Sequence, residues 1–284
     1  MKRFAKILLS AALAAGCMLG LTGCNKAPAG NISNSMTFTE GDKIAEITFE
    51  DYGTIKAKLY PDIAPNAVEN FIKLAESGYY NGLKIHRVAK DMCIQGGSLN
   101  GDGTGGTALI GNEDSFDIET NADMRNFFGA LGYANQDGQN TTQFYIVTAQ
   151  TKSDITQYDP SAIREKAAEF TAKKEEMEDS DPSYAGVEYM ETYYTNLADM
   201  IEKASEEIVE KYKTVGGYPL WDGGYTVFGQ VFENLDVLNK IAAAEVTTDV
   251  NGEKIRPVQD IIISSVKIVE FVMPEENTGE AQSE

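Results

Sequence analysis

Between residues 43 and 150, apolar and polar positions alternate over short stretches that are separated by turn residues. A period of two is typical of strands with one buried face, so this region predicts short strands joined by tight turns. The first two strands form a hairpin on either side of a turn at 51–53. Further strands are expected at 85–94, 129–134, 143–148, 218–232 and 261–272.

Two stretches, one within this region and one near the end of the chain, have a helical period instead of a period of two. Pro65 suits a first helical turn, the apolar residues from Val68 to Ala75 fall on one face, and Gly78 ends the pattern. A second short amphipathic helix is expected at 234–243. The pattern therefore predicts a mainly β domain with two helices packed against it.

Residues 151–216 have a different pattern, which predicts helices only. Asp159 is a good N-cap and Pro160 suits the first turn of one helix. After Pro182, apolar residues from Val187 to Ile208 alternate spacings of three and four, which gives a narrow apolar seam along a second, longer helix. We expect an α-helical hairpin whose helices pack on each other. A coiled coil with a partner protein stays open.

The amino terminus predicts export. A basic start precedes an apolar stretch at 7–21, as in a secretory signal peptide. The stretch "LTGC", which ends at Cys24, resembles a bacterial lipobox, so we expect removal of residues 1–23 and lipidation of Cys24. Two alternatives are "AAGC" at 14–17, which leaves a shorter apolar core, and a plain secretion signal that happens to end in cysteine.

The two ends of the mature chain are polar, and the whole chain is acidic. Residues 24–42 are interpreted as a flexible tether after the lipidated cysteine, and residues 273–284 as a disordered acidic tail. Removing the signal leaves 21 basic against 44 acidic residues, a formal charge of about −23. Such acidity excludes nucleic acid as a partner and leaves the lipid as the only expected membrane contact.

Cysteine and histidine are scarce, which narrows the possible chemistry. Of three cysteines, only Cys93 lies in the predicted fold, so no internal disulfide can form, and we interpret its thiol as a small buried hydrophobe. The single histidine, His86, cannot build a histidine-rich zinc site or, in this sequence context, a hydrolase triad. We therefore expect neither a metal nor a cofactor.

Four segments, in this order, resemble the cyclophilin family of peptidyl-prolyl isomerases. They are "APNAVENFIKLAESGYYNGLKIHRV", "IQGGSLNGDGTGG", "GALGYANQDGQNTTQFYIVTA" and "DGGYTVFGQVFENLDVLNKI". The resemblance implies an eight-stranded antiparallel barrel capped by two helices, formed by residues 43–150 and 217–272. Residues 151–216, which it does not cover, would be a helical insertion into one loop.

The resemblance also implies the chemistry of the site. Rotating a prolyl bond breaks amide resonance, with a barrier of about 18–20 kcal/mol, and needs no nucleophile or metal. It needs a slot for proline and a donor that favours the twisted amide, for which arginine is well suited. By resemblance, Arg87 is that donor and Gln95 supports both Arg87 and the substrate carbonyl. The residues expected to bind substrate are Met92, Ala134, Asn135, Tyr145, Leu220 and Tyr225.

The sequence departs from the usual family pattern at some of these positions. Met92 and Tyr145 stand where cyclophilins usually have phenylalanine, and Leu220 stands where some have tryptophan. Trp221 is one residue further on, so a local shift would place it at that position. Because strand neighbours point to opposite faces, we expect Arg87 to face the groove and His86 to turn inward as a packed, hydrogen-bonded residue.

Two functions follow from different parts of the sequence. The first is a monomeric prolyl isomerase that acts on proline-containing unfolded or exported polypeptides at the outer face of the bacterial cytoplasmic membrane. The alternative is a catalytically weak cyclophilin scaffold that binds clients or a partner through the helical insertion, which ends close to Leu220 and could overhang the groove. The export signal alone would also fit a solute-binding lipoprotein.

Overall fold

The computed structural model describes residues 36–110, 114–249 and 251–273. The predicted signal peptide, the lipidated Cys24, most of the tether and almost all of the acidic tail lie outside these residues. Within the described ranges, no helix combines the length and the apolar character needed to cross a membrane.

Short strands, five α-helices and two 3₁₀ turns follow one another in the described residues. The first half contains β1 (Lys43–Phe49), β2 (Gly53–Leu59), α1 (Pro65–Glu76), β3 (Arg87–Ala89), β4 (Cys93–Gly96), β5 (Phe116–Asp117), β6 (Ala130–Gln136) and β7 (Gln139–Val147). The second half contains α2 (Pro160–Glu175), α3 (Tyr184–Glu202), α4 (Glu206–Thr214), β8 (Val227–Glu233), α5 (Leu235–Ala242), β9 (Val246–Thr248), β10 (Lys254–Pro257) and β11 (Ile263–Glu270).

Eight strands form one curled antiparallel sheet in the order β11-β1-β2-β8-β6-β7-β4-β3, and β5 pairs with β7 beside it. The two ends of the sheet meet, since Ile85 N donates to Ile261 O at 2.9 Å and Ile263 N donates to Leu83 O at 2.8 Å. The predicted mainly β fold with an eight-stranded antiparallel barrel is therefore confirmed.

The inner face of this sheet carries the main apolar core. Alternate strand residues such as Ile47, Ile55 and Ile146 are completely buried there. Phe71 of α1 and Leu238 of α5 join the same cluster, so both predicted capping helices pack on the sheet. This burial is the main favourable term that holds the domain together.

The predicted strand at 85–94 is wrong as a single element. Asp91 has a φ of 52°, in the left-handed region, and the chain turns there. The result is a tight β3–β4 hairpin in which Arg87 pairs directly with Gln95. The turn brings the two predicted catalytic side chains side by side, although eight positions separate them in the sequence.

The strands expected at 129–134 and 143–148 are longer than predicted. They are β6 and β7, joined by a two-residue turn in which Asp137 and Gly138 have φ values of 52° and 83°. Positive φ at both central residues is typical of a type I′ hairpin turn, for which Asp-Gly is a strong sequence signal.

The tether prediction is wrong for the described residues next to the domain. The Phe38 ring lies 4.8 Å from the rings of both Phe232 and Phe271, between the ends of β8 and β11. Lys58 Nζ donates to Thr37 O at 2.6 Å. The packed domain therefore includes residues from about Thr37 rather than beginning at Lys43.

The helical region contains three helices instead of the two predicted. The chain leaves the helical path after α3, and Ser205 Oγ caps α4 by accepting from Ile208 N at 3.3 Å. The predicted hairpin is formed by α2 and α3, where the rings of Phe170 and Tyr194 stack 5.7 Å apart. The remaining helix, α4, packs in a separate small core, where the ring centroids of Tyr212 and Phe127 lie 4.5 Å apart.

A buried polar network connects these helices to the sheet. The carboxylate of Asp222 accepts from Asn126 N at 2.9 Å, from Asn126 Nδ2 at 3.1 Å and from Tyr212 Oη at 2.8 Å. It also pairs with Arg125 at 3.3 Å, and both side chains are at most 2% exposed. Arg125 Nη2 in turn donates to Met200 O at 2.9 Å, at the end of α3.

Removing one member of this buried ion pair should be costly. We expect Asp222→Ala to lower the free energy of unfolding in urea by about 3–5 kcal/mol, because the charge of Arg125 is then left buried without its carboxylate. Asp236→Ala is the matched control, since it removes a carboxylate from the exposed Asp236–Lys240 pair, and it should change stability little. Equal, small effects of the two substitutions would contradict this interpretation.

Candidate active site

Three neighbouring strands place polar side chains on the outer face of the curled sheet. Arg87 on β3 pairs with Gln95 on β4, and Gln95 pairs with Tyr145 on β7. Gln95 Nε2 donates to Gln143 Oε1 at 3.1 Å, and Gln143 Nε2 donates to Gly103 O at 3.0 Å in the glycine-rich loop. These residues form a polar row along one side of the site.

Strand alternation positions Gln143 in this row. The register between β6 and β7 shifts between Tyr133 and Asn135, so residues 141–143 of β7 lie opposite Ala134 alone. Along β7 itself the alternation continues unbroken, so Gln143 faces the same side as Tyr145 and its amide lies beside Gln95. Gln143 was not among the predicted site residues, although its position two residues before Tyr145 on one strand was a usable signal.

Arg87 is half-buried and makes only weak contacts of its own. Nη1 donates to Cys93 Sγ at 3.1 Å, and Nη2 lies 3.6 Å from Met92 Sδ. In the described part of the chain the guanidinium forms no ion pair and no hydrogen bond with Gln95, which donates to Gln143 instead. Because a guanidinium has five N–H donors and sulfur is a weak acceptor, Arg87 keeps donors for a ligand carbonyl.

Cys93 is a packed residue beneath Arg87. Its thiol is completely buried and free of any disulfide, and burial raises its pKa to about 11. The thiol therefore stays protonated at neutral pH and is a poor nucleophile. This matches the interpretation of Cys93 as a small buried hydrophobe.

An aromatic cluster of Tyr145, Tyr218, Trp221 and Tyr225 lies next to the polar row. The ring centroid of Tyr145 is 5.0 Å from that of Trp221 and 5.8 Å from that of Tyr225, in edge-to-face arrangements. Tyr218 lies 4.8 Å from Trp221. Tyr145, only 2% exposed, forms the floor, while Trp221 and Tyr225 are partly exposed above it. The partly exposed rings give this face an apolar, aromatic surface of the kind that can pack against a small ring.

The structure brings most of the predicted substrate-binding residues to this cluster. Met92, Ala134, Tyr145 and Tyr225 all pack together in it. Leu220 does not join the cluster, and Trp221 occupies the expected place instead. The correction has a simple cause, since residues 219–221 form a 3₁₀ turn that rotates Trp221 toward Tyr145.

The edge of β6 beside the cluster has backbone groups without a neighbouring strand. β8 pairs with β6 only as far as Gly132, followed by one bond from Tyr133 N to Thr226 O at 2.9 Å. The next residues, Ala134 and Asn135, lie beyond this pairing. Asn135 Nδ2 donates to Gly224 O at 2.9 Å, which holds the two sides of the gap together. An extended peptide could bind this edge through its backbone.

His86 is not the hydrogen-bonded core residue that we expected. Its Nδ1 is buried and has no hydrogen-bond partner among the described residues. The ring lies beneath Gly103, where an added Cβ would be 3.7 Å from Nε2. Burial, together with the neighbouring charge of Arg87, lowers the pKa of His86 to about 4. The imidazole is therefore neutral at physiological pH.

Together, the curled antiparallel sheet, an arginine that pairs with no carboxylate of the described residues and the aromatic cluster beside a free strand edge define a peptide-binding site of the cyclophilin class. The model of the family "Cyclophilin type peptidyl-prolyl cis-trans isomerase/CLD" matches residues 44–163 and 203–268. The chain belongs to the cyclophilin family. The residues between the two matched segments, 164–202, include most of the α2–α3 hairpin.

Curated relatives and solved structures agree with this assignment. One relative is a Staphylococcus saprophyticus protein that is provisionally named a peptidyl-prolyl cis-trans isomerase. It is 33% identical over 82% of this chain and 96% of its own length. A Staphylococcus aureus protein of the same provisional name is 30% identical over 80% of this chain and 93% of its own. A Cryptosporidium parvum cyclophilin-type isomerase shares the fold, with a TM-score of 0.51 and 20% identity over 82% of this chain and 99% of its own.

The buried imidazole gives a pH prediction that can be measured directly. Because the chain has one histidine, its Cε1 proton signal in NMR is unambiguous, and we expect it to titrate near pH 4 in the folded protein. The unfolded protein in urea, as the control, should titrate near the ordinary value of 6.5. A lowered pKa means that the unfolded state binds the proton first, so stability should fall as pH drops from about 6.5 towards 4. A folded-state midpoint near 6.5 would show that the ring is solvated.

Proposed function

We propose that this protein accelerates cis-trans rotation of Xaa-Pro bonds in exported polypeptides. The observation that carries the proposal is the position of Arg87, a cation with unused donors next to the aromatic cluster. A prolyl isomerase needs these two features together, because the ring must be held while the amide beside it loses resonance.

The residues of the site have distinct roles in this proposal. The proline ring binds against Tyr145 and Trp221, and the flanking backbone binds the free edge of β6 at Ala134 and Asn135. Arg87 donates to the substrate amide when it is twisted, and its charge is worth more there because the site is partly buried. Gln95 and Gln143 bind the substrate carbonyl. The step breaks no covalent bond, so we expect activity without a metal.

Substituting Arg87 tests this role. We expect Arg87→Ala to lower kcat/KM for a proline-containing tetrapeptide about a hundredfold, since one preorganised donor contributes about 10²–10³ to such rates. Arg164→Ala is the matched control, because Arg164 is an exposed arginine of α2 that pairs with Asp199 and Glu202. It should leave kcat/KM unchanged. Absence of catalysis by the unsubstituted protein would refute the proposed function.

The same variant addresses the alternative, a client-binding role for the α2–α3 hairpin. That role has less support, because the inner side of α3 is occupied and the outward residues of α2 are mostly charged, such as Arg164, Glu165 and Lys166. If the hairpin alone held clients, Arg87→Ala would retain full suppression of aggregation of an unfolded protein in a light-scattering assay.

We further propose that the protein is held at the outer face of the cytoplasmic membrane by lipid on Cys24, where it would meet exported polypeptides as substrates. The "LTGC" stretch and the acidic mature chain support this location. Cys24→Ala should release the protein from the membrane fraction into the medium and abolish incorporation of labelled fatty acid. Cys17→Ala, which alters the weaker "AAGC" candidate, should change neither. Retention of label in Cys24→Ala would contradict the proposal.

A further inference from the structure

The segment 220–224 forms one wall of the aromatic cluster and connects it to the rest of the protein. Its second side chain, Trp221, enters the cluster beside Tyr145, and Tyr225 follows directly after the segment. Only the short 3₁₀ turn at 219–221 gives this segment regular structure. The position of Trp221 therefore depends on what holds the residues on either side of it.

α3 holds this segment through three side chains on one of its faces. Tyr189 Oη donates to Gly224 O at 2.7 Å, and Asn196 Nδ2 donates to Gly223 O at 3.1 Å. Tyr193 Oη donates to Leu220 O in a short hydrogen bond. Because residues spaced by four and three positions lie on one helix face, α3 forms hydrogen bonds with both ends of the segment.

The glycines at 223 and 224 allow α3 to come this close. A Cβ added at Gly224 would overlap the ring of Tyr193, and a Cβ at Gly223 would lie 2.7 Å from Asn196 Cβ. Gly223 also has a φ of 80°. The Gly-Gly pair therefore fits the packing of α3 on the segment.

Burial makes these contacts stronger than surface hydrogen bonds. Desolvation raises the pKa of Tyr189 and of Tyr193 well above the ordinary value of 10.0, so both hydroxyls remain donors. A further link comes from the end of α3, where Met200 O accepts from Arg125, which pairs with Asp222 next to Trp221. The hydrogen-bonding groups of α3 thus reach Leu220, Gly223 and Gly224 directly and Asp222 through Arg125.

We propose that α3 is a positioning element of the proline pocket, with Tyr193 and Tyr189 as positioning residues that act through Trp221. This inference rests on the proposed isomerase function and adds to it. α3 lies in residues 164–202, which the family model does not match, but it contacts the matched segments. In this proposal the insertion is a buttress, which means that it supports one wall of the substrate groove from behind and is not a lid over the groove.

Two tyrosine-to-phenylalanine substitutions on the same helix test the proposal. Tyr193→Phe removes the hydrogen bond to Leu220 O and keeps the ring beside Gly224. Tyr194→Phe is the matched control, because the Tyr194 ring stacks on Phe170 of α2 and, among the described residues, its hydroxyl makes no hydrogen bond to the segment 220–224. The chain has one tryptophan, so intrinsic tryptophan fluorescence reports the position of Trp221 alone.

We expect Tyr193→Phe to shift the emission of Trp221 and to raise the KM for a proline-containing tetrapeptide about fivefold, the effect of losing one hydrogen bond of about 1 kcal/mol, while kcat changes less than twofold. The split follows because Trp221 binds the ring and does not contact the twisting amide. Tyr194→Phe should leave the emission, KM and kcat unchanged.

The outcomes separate this inference from the proposed function. If the unsubstituted protein isomerises the peptide but Tyr193→Phe keeps its emission, KM and kcat, α3 is not a positioning element and the inference fails. If Tyr193→Phe and Tyr194→Phe raise KM equally, the effect is general to the hairpin, which also overturns it. If the unsubstituted protein shows no activity, the proposed function fails first, and the emission of Trp221 in the two variants still decides whether α3 positions the wall.

Discussion

The carboxylate of Asp222 constrains how the described residues pack, because it is buried and must find all of its partners inside the protein. It receives donors from Tyr212, ten residues before it, and from the neighbouring residues Arg125 and Asn126, which lie almost a hundred residues earlier in the sequence. An unpaired buried carboxylate would cost several kcal/mol, so these residues can only pack in the arrangement that satisfies it. Since Trp221 is the adjacent residue, the same constraint places one wall of the aromatic cluster.

This network also explains why a tyrosine can form the floor of an apolar pocket. A buried phenolic hydroxyl needs a partner, and Tyr145 Oη donates to Asn126 Oδ1 at 2.6 Å. Asn126 uses its Nδ2 for Asp222 and its Oδ1 for Tyr145, so one amide serves both. The floor of the pocket and the buried ion pair are therefore coupled, and the hydroxyl points away from the ligand side of the cluster.

Local patterns in the sequence predicted those features that depend on neighbouring residues. Apolar alternation predicted β1 and β2, the helical period after Pro65 predicted α1, and the four segments that resemble cyclophilins placed Arg87, Gln95 and Tyr145 together. Contacts between distant residues decided the rest. The break between α3 and α4 depends on Tyr212 reaching Asp222, and the choice of Trp221 over Leu220 depends on a turn held by Tyr193. Such contacts leave no periodic signal in the sequence, whereas Asp137-Gly138 is a local sequence signal for a tight hairpin turn.

The need for a buttress follows from the two faces of the sheet. The inner face is filled by the apolar core, so a site built from the same strands must lie on the outer face. Large aromatic side chains on an outer face expose apolar surface unless another layer of the protein covers part of it. In this chain α3 supplies that layer behind the segment 220–224 and against the β6–β7 turn, where a Cβ added at Gly138 would lie 3.2 Å from the Tyr189 ring. A helix placed there can hold Trp221 in position without covering its ring, because the hydrogen bonds of α3 go to the backbone carbonyls of residues 220, 223 and 224, and the tryptophan ring stays partly exposed.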